Sequence, residues 1–123
     1  MPSAAPPITI WHNPRCSKSR ETLALLRERG IEPVIRLYLE RAPTAEEVEI
    51  LLSQLGGAPR LLLRDNEAVF KATGRNAASL DHHDVARLIA RHPVLLQRPV
   101  VVADGRAAIG RPPAAVLALV GKS

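Results

Sequence analysis

Asp104-Gly105 lies between two apolar runs, Val100-Val101-Val102-Ala103 and Ala107-Ala108-Ile109, and no other dipeptide in the chain limits its folding as strongly. In that setting Asp-Gly demands a two-residue type I′ turn, because both central residues need positive φ and the twist of that turn matches the twist of the strands it joins. The resulting hairpin pairs Ala103 with Arg106 and Val102 with Ala107, and at its open end it sets Arg98 across from Arg111. Like charges directly opposite weaken a ladder by something within ~0.2–1 kcal/mol unless an anion lies between them. Two readings stay open here: a site for a tetrahedral oxyanion, or a ladder that stops before Pro99 and lets both arginines splay into water.

Ahead of the hairpin, Ile8 to Trp11 is a short apolar run broken by His12-Asn13-Pro14, the pattern of a buried strand ending in a turn. From Ser17 the period becomes helical, with Ser19, Leu23 and Leu26 on one side, Arg20, Arg27 and Glu28 elsewhere, and Gly30 as the stop. Val34 to Leu39 is β-rich and flanked by Pro33, Glu40, Arg41 and Pro43, which predicts a second strand. A strand, a helix and a strand in that order imply a parallel pair. Thr44-Ala45-Glu46-Glu47 is a capping box, and Val48, Leu51, Leu52 and Leu55 follow at helical spacing up to Gly56-Gly57. Leu61 to Arg64 predicts a short helical turn, and Asp81 and Asp84 bracket another helix start, with Val85, Leu88 and Ile89 as its stripe and Pro93 as its stop. Arg111-Pro112-Pro113 opens a closing helix with Val116, Leu117 and Val120 inward. The order β-α-β, helical insert over about 44–92, β-hairpin, α is an α/β fold similar to the thioredoxin arrangement. One domain over residues 8–120 is expected, with a disordered Pro-rich tail at 1–7 and a short tail at 121–123.

Composition removes several classes of function. With 123 residues, 46% hydrophobic and 24% charged, the chain can fill one core and does not resemble a disordered one. Its longest apolar run, Ala114 to Val120, is far short of the roughly 20 residues of a spanning helix. Met1 to Pro7 has neither the basic segment nor the apolar run of a secretory signal, so the cytoplasm is the expected location and no membrane partner is expected. Seventeen basic residues against twelve acidic ones give +5, and apart from Lys18, Lys71 and Lys122 the basic residues are arginine. That balance favours anionic partners. Nucleic acid is not expected among them, since Trp11, Tyr38 and Phe70 are too few for a stacking platform and the arginines form no stripe.

Cys16 is the only cysteine, so the chain can form neither an internal disulfide nor a Cys-rich zinc site. It falls where the first strand's turn hands over to a helix N-terminus, a place whose unpaired N–H groups and dipole favour an anion. A thiol with a pKa near 8.5 is only about 3% ionised at pH 7, whereas one lowered to ~6.5 is about three-quarters thiolate. Arg15, Lys18 and Arg20 surround it in sequence, Ser19 is placed to donate its hydroxyl hydrogen to the sulfur, and His12 can add a further positive or donor group. Cys-x-x-Ser lacks the second thiol of a dithiol oxidoreductase. A tyrosine-phosphatase loop is excluded as well, because it needs arginine where Thr22 stands. A monothiol nucleophile beside an anion site remains.

HNPRCSKSRETLALL, LYLE, LLLR, RPVVV and IGRPP, in this order from Ile8 to Val120, resemble the glutaredoxin- or glutathione-coupled arsenate reductases of the ArsC-like, thioredoxin-superfamily type. The resemblance implies that Cys16 is the nucleophile and that His12 and Ser19 belong to its loop. It further implies that Arg64, Arg98 and Arg111 bind the oxyanion and that the Arg98-Pro99 bond is cis. Implied partners are arsenate as substrate, glutathione as co-substrate with no bound cofactor, and glutaredoxin, which resolves a mixed disulfide that the single cysteine cannot resolve itself. A monomer is expected. Two alternatives stand beside this reading: an Spx-type regulator binding RNA polymerase, and a monothiol oxidoreductase acting on another oxyanion or on glutathionylated substrates. His82, His83 and His92 are read as helix-surface residues and no metal site is expected, because adjacent helical histidines diverge by about 100°.

Overall fold

A computed structural model describes residues 7–120. The tail expected at 1–7, Pro7 apart, and the tail at 121–123 lie outside the described residues. Four strands, β1 (Ile8–Trp11), β2 (Val34–Arg36), β3 (Val100–Ala103) and β4 (Arg106–Ile109), form one sheet in the order β2-β1-β3-β4. β1 and β2 are parallel, as the intervening helix α1 (Ser17–Glu28) requires, and β3 runs antiparallel to both β1 and β4. The Asp-Gly turn sets the register: Ala103 faces Arg106 and Val102 faces Ala107, with φ of 52° at Asp104 and 77° at Gly105. This is the thioredoxin-like fold, with an insert of helices between its two halves.

Strand alternation decides which face receives which helices. Trp11, Val100 and Val102 look to one side, where the insert packs through α2 (Ala45–Leu55), α4 (His82–Arg91), Leu62, Phe70, Leu95 and Leu96. Ile10 and Val101 look to the other, onto Leu23 and Leu26 of α1 and onto Val116. Capping boxes start α2 at Thr44/Glu47 and α4 at Asp81/Asp84. The insert also holds α3 (Ala68–Lys71) and short 3₁₀ turns at Pro59–Leu62, Ala77–Ser79 and Pro93–Leu95.

Three expectations need correction. The second strand stops at Arg36 and does not reach Leu39, because β1 breaks at His12 and offers only the His12 N–H to the Arg36 carbonyl (2.9 Å) before the chain turns at Leu37. The helical turn expected from Leu61 to Arg64 is shifted to Pro59–Leu62, since Pro59 can occupy a first turn where its missing N–H is not needed. The closing helix is a 3₁₀ helix, Pro113–Leu119, so its inward residues are three apart: Val116 and Leu119 pack on the core, with Val120, and Leu117 does not. No helix among the described residues is long and apolar enough to cross a membrane.

Candidate functional site

β1 and β2 are parallel and therefore end together, and the loops leaving those ends build the site with the start of β3. After Trp11 the chain turns on Asn13, whose carbonyl accepts the Cys16 N–H (2.9 Å) and whose side-chain oxygen accepts the Arg15 N–H (3.0 Å). That Asx-type turn delivers Cys16 to the N-cap position of α1 with extended φ/ψ, and the first helical hydrogen bond runs from the Arg20 N–H to the Cys16 carbonyl (3.0 Å). Cys16 thus sits beside the free N–H groups of the helix start, though its side chain makes no cap hydrogen bond to them, and it is 9% exposed.

Burial pushes the Cys16 thiol pKa up, but the Ser19 backbone N–H, the guanidinium of Arg98 and the Lys18 backbone N–H outweigh it, so the pKa lies below that of an ordinary cysteine. Arg111 adds a second guanidinium, its Nη2 standing 3.7 Å from Sγ. Neither Arg98 nor Arg111 has a carboxylate partner among the described residues, so both charges are available to an anion.

The two arginines arrive differently from what the hairpin register suggested. The ladder ends at Val100↔Ile109, and the Gly110 N–H still reaches the Pro99 carbonyl (2.9 Å). Arg111 then folds back, its Nε donating to the Arg98 carbonyl (2.8 Å) while one Nη turns to the sulfur. The Arg111 guanidinium is thus held by the Arg98 backbone. Both Arg98-Pro99 and Arg111-Pro112 are cis, and the second was not anticipated. Gly110 lies against this corner: a Cβ there would sit 2.5 Å from Thr22 Oγ1 and 2.8 Å from Pro99 Cγ.

Ser19 and His12 also differ from expectation. Fully buried, the Ser19 hydroxyl accepts the Asn13 N–H (3.0 Å) and shares a hydrogen bond with His12 Nδ1 (2.7 Å), so its partners are the loop and not the sulfur. Ser19 serves the sulfur through its backbone. Burial, then the charges of Arg27 and Arg20, lower the His12 pKa, so at neutral pH the ring is uncharged and supplies no cation. Arg15 and Arg20 are exposed, Arg20 donating to the Pro14 carbonyl (2.9 Å).

Arg64 stands one step back. Its Nε is paired with Glu67 (3.1 Å) and its Nη1 donates to Gln97 Oε1 (3.3 Å), which also accepts the Arg98 N–H (3.3 Å). The Arg64 N–H to Leu95 carbonyl and Gln97 N–H to Leu62 carbonyl bonds, both 2.7 Å, fix this pairing of segments. Arg98 and Arg111 are thus gathered at the sulfur, while Arg64 is tied to Glu67 and Gln97. Gln97 and Tyr38 were missed by sequence reasoning. Gln97 carried no signal, whereas Tyr38, two residues beyond a strand parallel to the one that leads to Cys16, could have been placed at the same end. His82 and His83 are exposed, and His83 Nδ1 lies 2.6 Å from Glu49.

The model of the ArsC family matches residues 11–119. An arsenate reductase of Neisseria meningitidis is 44% identical over 108 residues, 87% of this chain and 92% of its own. The uncharacterised protein YfgD of Escherichia coli K12 is 46% identical over 115 residues, 93% of this chain and 97% of its own. Among solved structures, an arsenate reductase from Vibrio cholerae superimposes with a TM-score of 0.88 at 42% identity, covering 94% of this chain and 99% of the other.

Proposed function

Given that the chain belongs to the ArsC family, we propose that it is an enzyme that reduces arsenate to arsenite through Cys16, in the cytoplasm, with glutathione and glutaredoxin as external thiol donors. The observation that carries the reading is the pair of guanidiniums, neither with a carboxylate partner among the described residues, beside the thiol of the N-cap residue, with Arg111 Nη2 3.7 Å from Sγ. A cysteine so placed is a thiolate nucleophile, and arginines so placed bind a tetrahedral oxyanion. Arg98 and Arg111 hold arsenate against the sulfur, and Arg64, through Gln97, steadies the backbone that presents Arg98.

Cys16 Sγ attacks arsenic and forms an S–As bond while one arsenate oxygen leaves as water, its protons drawn from the bound acid and solvent. The arginines offset charge on the remaining oxygens. A glutathione thiolate then attacks Sγ. The S–S bond forms, the S–As electron pair stays on arsenic, and arsenite leaves as As(III). Glutaredoxin takes the glutathione by thiol exchange and returns Cys16 to its thiolate. Two thiols are oxidised for each arsenic reduced. Phosphate fits the same arginines and is a competitor, since phosphorus(V) does not take the electron pair.

The test is arsenate-dependent NADPH oxidation with glutathione, glutathione reductase and glutaredoxin supplied. Turnover should require the protein and vanish in Cys16→Ser. Arg98→Ala and Arg111→Ala should weaken the use of arsenate. Full activity in Cys16→Ser would reject the scheme.

A further inference from the structure

Two buried side-chain polar atoms lack a hydrogen-bond partner among the described residues: Tyr38 Oη and Arg98 Nε. They are neighbours. The acidity of the Tyr38 phenol is set first by burial, then by the charges of Arg98, Cys16 and Arg64, which locates the hydroxyl among the groups of the candidate site. The backbone agrees, since β2 delivers Tyr38 to the end of the sheet at which β1 delivers Cys16.

Tyr38 is fully buried, and an unpaired hydroxyl there carries a desolvation penalty that phenylalanine would avoid while filling the same space. Arg98 Nε incurs a similar penalty. If the guanidinium donates to Oη, the phenolic hydrogen still needs an acceptor, so the combination calls for a guest rich in acceptor oxygens. An apolar guest would leave both groups unpaired, and a cation would be repelled.

We propose that the Tyr38 hydroxyl is part of the oxyanion site, donating a hydrogen bond to an oxygen of the anion held by Arg98 and Arg111. This rests on the oxyanion reading given above. Burial pushes the phenol pKa up to about 12, so at working pH the group is a neutral donor and never a second anion facing the guest. Tyr38 also feels the Cys16 charge, and a donor there can follow one arsenate oxygen as the sulfur closes on arsenic.

The experiment measures alkylation of Cys16 by iodoacetamide in the full-length protein against increasing arsenate, each variant being normalised to its own anion-free rate. Tyr38→Phe should raise the arsenate concentration that halves alkylation by roughly tenfold, the effect of one hydrogen bond to a charged acceptor. Because Tyr38 is the only tyrosine, protein labelled with ¹³C at tyrosine Cζ gives one side-chain resonance, which should move over the arsenate range that protects Cys16. Protection of Tyr38→Phe at the parent's concentration would overturn the proposal and leave the oxyanion site standing. A parent protein that arsenate does not protect would overturn both. Should Tyr38→Phe fail to fold, the labelled parent decides: a resonance that stays fixed while Cys16 becomes protected rejects the hydroxyl as a ligand.

Discussion

Replacing Ser19 by alanine separates two roles that a serine three residues after a reactive cysteine can play. Its hydroxyl is fully buried, accepts the Asn13 N–H at 3.0 Å and is bonded to His12 Nδ1 at 2.7 Å. Ser19→Ala deprives two buried groups of their partner at ~1–3 kcal/mol each, and with some relief from water the loss of stability should be about 2–4 kcal/mol. For 123 residues at ~2.1 cal/mol/K per residue of unfolding entropy, that is roughly 8–15 °C in Tm. The sulfur is a separate matter, because the Ser19 group that lowers its pKa is the backbone N–H, which alanine keeps. Urea unfolding and the pH dependence of Cys16 alkylation, measured on the same samples, provide the assay. Stability should fall by the stated amount, and the alkylation midpoint should move less than it does in Arg98→Ala, where both a charge and a donor are lost. A variant within 0.5 kcal/mol of the parent, roughly the scatter of surface substitutions, whose thiol becomes markedly less acidic would refute the assignment and return the hydroxyl to the sulfur.

Gly110→Ala places a methyl 2.5 Å from Thr22 Oγ1 and 2.8 Å from Pro99 Cγ, and such overpacking should cost about 1–3 kcal/mol, read as a lower urea midpoint that Thr22→Ala relieves only in part. His12 has a folded pKa below its unfolded ~6.5, so the unfolded chain binds the extra proton first and stability falls as pH drops through 6.5 toward the folded pKa. The loss of urea midpoint between pH 7 and pH 5 should be smaller in His12→Gln. Cys16 acts in the same direction at higher pH: its lowered thiol pKa contributes stability that is complete above the unfolded ~8.5 and fades as pH falls through the folded value. Cys16→Ser should flatten that part of the profile.

The elements readable in advance were those whose signals are local. Asp104-Gly105 needs only its own two φ angles to set a register, and the Thr44 and Asp81 boxes close within one helical turn. Val34 to Leu39 was read too long because propensity ignores how far a neighbouring strand extends, and β1 gives out at His12. At the site, Cys16 was legible from its position between a turn and a helix. The choice between the hydroxyl and the amide of Ser19 was not, because it depends on His12, seven residues away. Arg98 and Arg111 were singled out by register, but how Arg111 is held, by donating to the Arg98 carbonyl, is a side-chain decision no pattern encodes. Tyr38 and Gln97 matter only through what the folded chain brings beside them.

Ile10, Leu23, Leu26, Val101 and Val116 form the thinner of the two layers flanking the sheet, and it is this layer that supports the helix beginning at the thiol. The insert rests on the thicker one. Loosening on that side would shift the start of α1 and with it the Cys16 sulfur, so under the proposed function the aim of the thiol depends on a handful of aliphatic side chains on the back of the sheet.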